Sequence, residues 1–291
     1  MKLIIQIPCF NEEKTLPITL KNLPRRIDGI DEIEILIIND GSTDKTVEVA
    51  EKMGVNHIVS FKKNRGLAKS YIAGINASLE LGADIIVNTD ADNQYKGEDI
   101  PKLIKPIVEK KADIVIGVRK IYKISHFSPT KKLLQKFGSW IVRNISGTNV
   151  PDVTCGFRAI NKEAAIHLNL FSDFTYTLEA IIQAAKKGLV FAHIPIEINE
   201  KTRESRLCHS IWHYIKLSVS TIIKIYTVYY PHKVFSKIGG ILFFAGFLFV
   251  LRFIYFYFKI SGPTGHTQSL IIAAILIILG FQILVHCKVN S

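Results

Sequence analysis

Apolar runs of strand length alternate with longer helical stretches through the amino-terminal half of the chain. The apolar runs predict five strands, at Leu3–Ile7, Ile33–Ile38, His57–Ser60, Ile85–Val87 and Ile114–Val118. The stretches between them predict four helices, near Thr15–Leu23, Thr43–Lys52, Leu67–Leu81 and Glu98–Lys110. This alternation is typical of an α/β fold with a mostly parallel sheet flanked by helices. Because parallel strands end at one edge of their sheet, we expect the loops that follow them to share that edge.

Two aspartates one residue apart, Asp90 and Asp92, follow the apolar run Ile85–Val87. Ligands of open α/β sheets bind at the edge to which such a strand leads. Carboxylate oxygens, with the Gln94 carbonyl close behind them, suit Mg²⁺ or Mn²⁺, ions that hold few protein ligands and complete their shell with substrate phosphates. A polar turn that caps the next helix would also explain these residues.

Polar loops also follow the first three predicted strands. Their sequences are Pro8-Cys9-Phe10-Asn11-Glu12-Glu13, Asn39-Asp40-Gly41-Ser42-Thr43-Asp44 and Asn64-Arg65-Gly66. In the second loop Ser42, Thr43 or Asp44 is suited to cap the following helix. A turn with a cap therefore explains the whole loop except Asp40, which stands at the end of the strand.

Five motifs stand in order within residues 1–207. They are Pro8…Asn11-Glu12, Asp40-Gly41-Ser42-Thr43-Asp44, Asn64-Arg65-Gly66, Asp90-Ala91-Asp92-Asn93-Gln94 and Asp152…Cys155-Gly156-Phe157-Arg158. Together they resemble the motifs of family 2 glycosyltransferases, which have the nucleotide-sugar-binding GT-A fold. The narrower resemblance is to polyprenyl-phosphate hexose synthases of the dolichyl-phosphate mannose synthase type. Five motifs in the same order are hard to produce by chance.

The resemblance implies which residues bind the donor, a nucleotide diphosphate sugar. The implied donor-binding residues are Pro8, Phe10, Glu12, Asp40, Asp90, Ala91, Asp92 and Gln94. The first four would line the pocket for the base and ribose, while Asp90, Asp92 and Gln94 would hold Mg²⁺ or Mn²⁺ beside the diphosphate. Phe10 stands where tyrosine is common in the family, so base stacking is retained and a hydroxyl is lost.

The same resemblance implies that Asp92 and Asp152 take part in catalysis. Asp152 would face the sugar or the acceptor, and Glu179 would lie nearby. A glutamate on the surface of a helix is an equally good explanation of Glu179. The acceptor phosphate would attack the anomeric carbon from the face opposite the leaving group, so the enzyme would invert the configuration of the sugar.

The whole chain has a net charge of +12, and positive charge is concentrated in one part of it. No Asp or Glu occurs from Ile114 to Pro151, and seven basic residues lie there: Arg119, Lys120, Lys123, Lys131, Lys132, Lys136 and Arg143. A second cluster consists of Lys201, Arg203 and Arg206. Such residues either attract anionic lipid headgroups or bind a phosphate presented by a membrane. The resemblance favours phosphate binding for Arg119, Lys131 and Lys132, and we extend this expectation to Arg203 and Arg206.

The carboxyl-terminal part contains two apolar segments, Ile238–Phe258 and Leu270–Cys287, which we predict to be membrane helices. A buried hairpin of a soluble protein is the alternative, but neither segment has an amphipathic stripe. Lys233, Lys237 and Lys288 lie on one side of this hairpin, and only Lys259 lies near its connector. The positive-inside rule therefore predicts that the catalytic domain and both termini are cytoplasmic. The charge lies next to apolar segments, so we do not expect nucleic-acid binding.

These patterns predict three regions: a GT-A domain at 1–207, an interfacial amphipathic helix region at 208–236 and a transmembrane hairpin at 237–291. In the middle region His209, His213, Lys216, Ser220 and Lys224 recur at helical spacing, with apolar residues on the other sides. An ordinary surface helix is the alternative. The four cysteines show no zinc-binding spacing, and a cytoplasmic domain would keep them reduced.

The sequence thus predicts a membrane-anchored enzyme that transfers one sugar from GDP-mannose or a UDP-hexose or UDP-N-acetylhexosamine to dolichyl or undecaprenyl phosphate. Two alternatives stay open: a glycosyltransferase that acts on a sugar hydroxyl, and a membrane protein that binds nucleotide sugars without catalysis. A processive polysaccharide synthase would carry a Gln-x-x-Arg-Trp motif, which does not occur here. The sequence allows a homo-oligomer and does not determine its size.

Overall fold

The structure is a computed structural model that describes residues 1–120, 129–171, 175–200, 211–260 and 267–289. The chain divides into two compact units, Met1–Ile222 and Ile223–Ser291. The predicted boundary near residue 207 falls in the segment 201–210, outside the described ranges.

The first unit is built on a seven-stranded sheet with the order β3-β2-β1-β4-β6-β5-β7. The strands are β1 Lys2–Cys9, β2 Glu32–Asn39, β3 His57–Ser60, β4 Ile85–Asn88, β5 Ile114–Arg119, β6 Arg158–Asn161 and β7 Phe191–Ile196. Only β6 runs antiparallel to its neighbours β4 and β5, which confirms the mostly parallel sheet expected from the sequence. All five predicted strands are present.

Helices cover the sheet. They are α1 Leu16–Lys21, α2 Thr46–Lys52, α3 Leu67–Glu80, α4 Ile100–Val108, α5 Pro129–Ser146, α6 Lys162–His167, α7 Tyr176–Lys186 and α8 Ile211–Tyr229, and a single 3-10 turn at Gly97–Asp99 leads into α4. The first four correspond to the four predicted helices. The division between the two units falls inside α8.

The core of the first unit includes β1, which lies between β2 and β4 in the sheet. Leu3, Ile4 and Ile5 are fully buried, as expected for a parallel strand with helices on both faces. One polar residue, Gln6, lies among them and donates from Nε2 to Oδ1 of Asn88 in β4 over 3.0 Å. This buried hydrogen bond lies between the core and the carboxyl ends of β1 and β4.

The second unit contains two long helices, α9 Pro231–Ile260 and α10 Thr267–Val289. They pack antiparallel, with Gly239 and Gly246 of α9 against Gly280 and Ala273 of α10. A Cβ on Gly280 would lie 2.6 Å from the backbone nitrogen of Phe243, so the backbones approach too closely for a larger residue. By length and composition, Pro231–Lys259 and Gln268–His286 are each able to cross a membrane.

Candidate active site

The loops after β1 and β2 hold each other at the carboxyl edge of the sheet. Asn11 donates its amide to Ser42 Oγ over 2.9 Å and accepts the Thr43 amide at Oδ1 over 2.8 Å. The Glu12 amide donates to Thr46 Oγ1 over 2.8 Å. Of the three predicted capping residues, Asp44 accepts the Thr46 amide at the start of α2, whereas Ser42 and Thr43 bind the neighbouring loop. The two loops therefore form one wall of the site.

Asp40 fixes a third loop against this wall. Its side chain is buried, and its two oxygens accept the amides of Arg65 and Gly66 over 2.7 and 3.0 Å. The approach requires glycine at Gly41, where a Cβ would lie 2.5 Å from the carbonyl carbon of Lys63. The loop Asn64-Arg65-Gly66 thus stands at the same edge as the loops after β1 and β2.

The segment after β4 enters the site between these loops and β6. The Asp90 carboxylate lies directly over Gly156, since its oxygens are 3.5 and 3.6 Å from the position of a Cβ on that glycine. Asp92 is buried and accepts the Gln94 amide at Oδ1 over 3.1 Å. The Ala91 carbonyl accepts the hydroxyl of Thr19 over 2.9 Å. These contacts fix the backbone between the two aspartates.

The donor set of this segment fits Mg²⁺ or Mn²⁺. Such ions use one or two carboxylates and take further ligands from substrate phosphates and water. Asp90 and Asp92 supply two carboxylates, whereas no cluster of three His, Cys, Asp or Glu side chains suited to a metal occurs in the described ranges. The Gln94 carbonyl accepts the Asn199 amide over 2.9 Å, so one of its lone pairs is already used.

Arg119 and Asp152, two predicted site residues, form an ion pair that the sequence did not predict. Arg119 Nε donates to Oδ2 over 2.7 Å, and Nη2 donates to Oδ1 over 2.9 Å. The hydroxyl of Thr154 accepts from Arg119 Nη2 and donates to Asp152 Oδ1. The side chains are 11% and 1% exposed, so the pair lies inside the protein. It ties the end of β5 to the segment before β6.

The segment Cys155-Gly156-Phe157-Arg158 is held by buried aromatic and amide groups. The Gly156 amide donates to the Tyr95 hydroxyl over 3.2 Å, and the Gly156 carbonyl accepts Asn88 Nδ2 over 2.9 Å. Tyr176 stacks on Tyr71 with ring centroids 3.7 Å apart. Burial raises the pKa of Tyr95 and of Tyr176 well above the ordinary value, so both phenols stay neutral at physiological pH.

Sequence reasoning missed these supporting residues. Asn88 could have been recognised as the polar residue that ends an otherwise apolar strand. Tyr95 could have been recognised as the residue that directly follows the acidic segment Asp90–Gln94. Tyr71 and Tyr176 lie on α3 and α7, and an aromatic residue in a helix is usually interpreted as part of the hydrophobic core.

Other predicted residues have varied surroundings. Pro8 and Phe10 are half-buried, while Glu12 is buried and accepts the Thr15 hydroxyl. Lys132 on α5 is half-buried. The side chain of Lys131 and the residues Arg203 and Arg206 lie outside the described part of the chain.

The suggestion that Glu179 lies on a helix surface is wrong. Its side chain is buried, and its two oxygens accept the Phe171 amide over 3.0 and 3.1 Å. This glutamate therefore anchors the backbone before α7.

Two proteins that are named as polyprenyl-phosphate sugar transferases are similar to this chain over most of their length. The undecaprenyl-phosphate mannosyltransferase of Micrococcus luteus is 29% identical over 211 residues, covering 69% of this chain and 85% of that protein. The UDP-N-acetylglucosamine–dolichyl-phosphate N-acetylglucosaminyltransferase of Methanococcus voltae is 29% identical over 215 residues, covering 66% and 83%. The two relatives are named for different sugars.

The fold is also similar to a solved structure of glucosyl-3-phosphoglycerate synthase from Mycobacterium tuberculosis in complex with Mn²⁺, uridine-diphosphate-glucose and phosphoglyceric acid. The TM-score is 0.62, with 17% sequence identity and coverage of 78% of this chain and 79% of that chain. This similarity confirms the predicted GT-A type of sheet. The sequence profile of Glycosyl transferase family 2 matches residues 4–168, more than half of the chain. This match shows that the protein is a glycosyltransferase of family 2, and the sheet and loops of the protein agree with that assignment.

Proposed function

We propose that this enzyme transfers a single sugar from a nucleotide diphosphate sugar to a polyprenyl phosphate. The observation that carries the proposal is the arrangement around Gly156. The carboxylate of Asp90 lies over this glycine, and the Arg119–Asp152 pair lies beside the same segment. The proposed donor side, with Asp90, and the proposed acceptor side, with Arg119, therefore adjoin along a few residues. The activities for which the two relatives are named support the same acceptor class.

On the donor side, the loops after β1 and β2 receive the base and ribose, through Pro8, Phe10, Glu12 and Asp40. Asp90, Asp92 and Gln94 would hold the metal. When bound, Mg²⁺ or Mn²⁺ would supply positive charge against the negative charge of the leaving nucleotide diphosphate. The hydrogen bonds between these loops hold them in place, so we expect little reorganisation on donor binding.

On the acceptor side, the lipid phosphate meets basic residues. The proposed set is Arg119, Lys131, Lys132, Arg203 and Arg206. A phosphate monoester with a second pKa near 6 already carries an anionic oxygen at neutral pH. That oxygen attacks the anomeric carbon from the face opposite the diphosphate, and the sugar is inverted.

The reaction needs no protein base, which gives Asp152 a role other than proton transfer. Held in a two-point ion pair, its carboxylate orients the guanidinium of Arg119. Asp152 is therefore a positioning residue for the acceptor side.

The anchoring of the enzyme in a membrane rests on α9 and α10. Only 11% and 17% of their most apolar stretches are buried within the protein, which supports membrane helices over the core of a soluble domain. Side chains such as Ile241 and Phe258 are exposed, and a lipid environment is the one in which that exposure is favourable. With two spans and the charge distribution of the sequence, both termini and the catalytic unit lie in the cytoplasm.

The test is to incubate the membrane-bound enzyme with a panel of labelled nucleotide sugars and polyprenyl phosphates and to identify the lipid product by mass spectrometry. We expect one sugar on the lipid phosphate, and product reduced by at least about ten-fold in the Asp92→Asn variant. Transfer to the hydroxyl of a glycan, with polyprenyl phosphate inert, would replace the proposal by a sugar-to-sugar transferase. Binding of nucleotide sugar without any transfer would also contradict it.

A further inference from the structure

The chain directly after β7 runs alongside the acidic segment Asp90–Gln94. We call residues 197–199 the strap. The amide of Asn199 donates to the Gln94 carbonyl over 2.9 Å, and Asn199 Nδ2 donates to the Asn93 carbonyl over 2.8 Å. A single residue of the strap therefore binds two consecutive backbone carbonyls of the acidic segment.

Further contacts hold the strap itself in place. Ile198 forms an antiparallel β-bridge with Tyr95. The Glu197 amide donates to Oδ2 of Asp99 over 3.3 Å, and the Asp99 side chain is buried. The strap directly follows the last residue of β7, so it continues a strand of the sheet. It is therefore a fixed support for the acidic segment.

Asn93 has a backbone conformation that needs such support. Its φ is +57°, in the left-handed region that residues with a side chain rarely adopt. Its side chain is buried, and Oδ1 accepts Nδ2 of Asn22, the residue after α1, over 3.0 Å. Asn93 is thus bound through its side chain by Asn22 and through its carbonyl by Asn199. These two hydrogen bonds stabilise the left-handed turn.

The turn at Asn93 separates two of the proposed metal ligands. Asp92 stands directly before it and Gln94 directly after it, and the Gln94 amide donates to Asp92 Oδ1 over 3.1 Å. Rotation of the backbone at Asn93 would therefore move both side chains at once. A small ion such as Mg²⁺ requires nearly ideal octahedral geometry, so its affinity is sensitive to such a rotation.

We propose that Asn199 is a positioning residue for the metal: it fixes the backbone from which Asp92 and Gln94 project. The proposal rests on the metal role proposed for Asp90, Asp92 and Gln94. It adds a residue that lies 106 positions after Asn93 and outside the five sequence motifs. Residues that orient metal ligands in this way contribute to metal affinity without touching the ion.

The binding of Mn²⁺ alone to the detergent-solubilised full chain tests the proposal. The dissociation constant is measured from the electron paramagnetic resonance signal of free Mn²⁺, and the Mn²⁺ concentration for half-maximal sugar transfer is measured in parallel. We expect Asn199→Ala to raise both values by at least about ten-fold. Turnover at saturating Mn²⁺ and the KM for polyprenyl phosphate should stay close to those of the parent. Neither Mn²⁺ value depends on the fraction of protein that is folded.

Two variants are controls for a general loss of structure. Asn56→Ala removes a side chain whose Oδ1 accepts the Ile35 amide over 2.9 Å before the start of β3, so it deletes a similar hydrogen bond away from the acidic segment. Glu197→Gln breaks the ion pair between the strap and Lys96, in which the glutamate is 69% exposed. We expect both variants to bind Mn²⁺ as tightly as the parent.

A second variant covers the case in which Asn199→Ala does not fold. Asn22→Ala removes the hydrogen bond to the Asn93 side chain and leaves the strap unchanged. Because the same turn then loses its support from α1, Mn²⁺ binding should weaken in the same direction. Unchanged Mn²⁺ affinity in Asn22→Ala would then overturn the proposal.

The outcomes separate the positioning role from the metal site itself. If Asn199→Ala lowers the Tm and the turnover and leaves the Mn²⁺ affinity unchanged, while Asp92→Asn weakens Mn²⁺ binding, Asn199 has only a structural role and the metal site stands. If Asp92→Asn binds Mn²⁺ as tightly as the parent, the metal assignment itself is wrong. Equal weakening in Asn199→Ala and Asn56→Ala would indicate general loosening of the domain, which also overturns the positioning role.

Discussion

The guanidinium of Arg119 and the carboxylate of Asp152 meet through two hydrogen bonds of 2.7 and 2.9 Å inside the catalytic unit. A planar fork against a planar carboxylate is the geometry in which such a pair is strongest. Because Arg119 ends β5 and Asp152 precedes β6, the ion pair links the two strands in addition to the backbone hydrogen bonds of the sheet. The effects of changing either residue are therefore coupled.

Breaking this ion pair from one side should destabilise the protein more than removing it entirely. Arg119→Met or Asp152→Leu leaves an unpaired buried charge, which costs about 3–5 kcal/mol, whereas the double variant leaves none. Chemical unfolding of the detergent-solubilised protein measures the three free energies. Additive losses in the double variant would show that the two side chains act independently.

Asp152→Asn tests whether this residue acts as a base. We expect a lower turnover, with the rise of activity that follows ionisation of the acceptor phosphate retained around its second pKa near 6. The measurement is a pH profile of turnover for the parent and the variant. Recovery of the variant only well above pH 8 would instead indicate that Asp152 accepts a proton.

Asp92→Asn removes a charge from the proposed metal site and keeps the shape of the side chain. Loss of a residue behind a metal ligand typically costs about 10–100-fold in affinity or activity, and loss of a ligand should cost at least as much. Mn²⁺ binding, followed by its electron paramagnetic resonance signal, should weaken in parallel. Asp28→Asn, at an exposed position, is the control. Full activity of the parent protein in excess chelator would contradict the metal assignment.

Lys132→Gln should separate the acceptor from the donor. Loss of one charged hydrogen bond to phosphate raises the apparent KM for polyprenyl phosphate about ten-fold to one-hundred-fold, with little change for the nucleotide sugar. Lys132 is more informative than Arg119, whose replacement also breaks the pair with Asp152. Lys52→Gln on α2 controls for the loss of one positive charge. An equal rise of both constants would assign Lys132 to the donor diphosphate.

Gly280→Ala should loosen the pair of α9 and α10. The added Cβ would lie 2.6 Å from the backbone nitrogen of Phe243, so the helices must separate, at a cost of about 1–3 kcal/mol. Gly240→Ala is a matched control, because a Cβ there meets nothing within 4 Å. Thermal unfolding in detergent compares the two variants. Equal stability of both would show that the close approach is not required.

Most of the sheet was predictable because its central strands are largely buried and form nearly continuous apolar runs in the sequence. The strands β6 and β7 were missed for the opposite reason. β6 is a four-residue strand that begins with an arginine, and β7 contains a histidine and a proline and is buried only at its last residue. Neither has the apolar continuity that marks a central strand.

The motifs located the site, but they did not reveal how its members pair. Arg119 and Asp152 are separated by a long stretch of chain, and no local pattern predicts that they meet. Asp40 was expected to face the donor, and no sequence pattern predicted that its two oxygens also accept amides of a neighbouring loop. Contacts of this kind depend on tertiary placement, which periodicity and composition do not encode.

The reversed direction of β6 determines where the chain between β5 and β6 leaves and re-enters the sheet. Its first residue, Arg158, pairs with Asn88 at the end of β4 and with Ile116 in β5, so the chain leaves the site at β5 and re-enters it at β6. The excursion between them is closed at its base by the Arg119–Asp152 pair and by the Gly117 amide, which donates to the Phe157 carbonyl. We therefore expect changes in the length or sequence of this excursion to leave the loops proposed to bind the donor in place and to alter the proposed acceptor side.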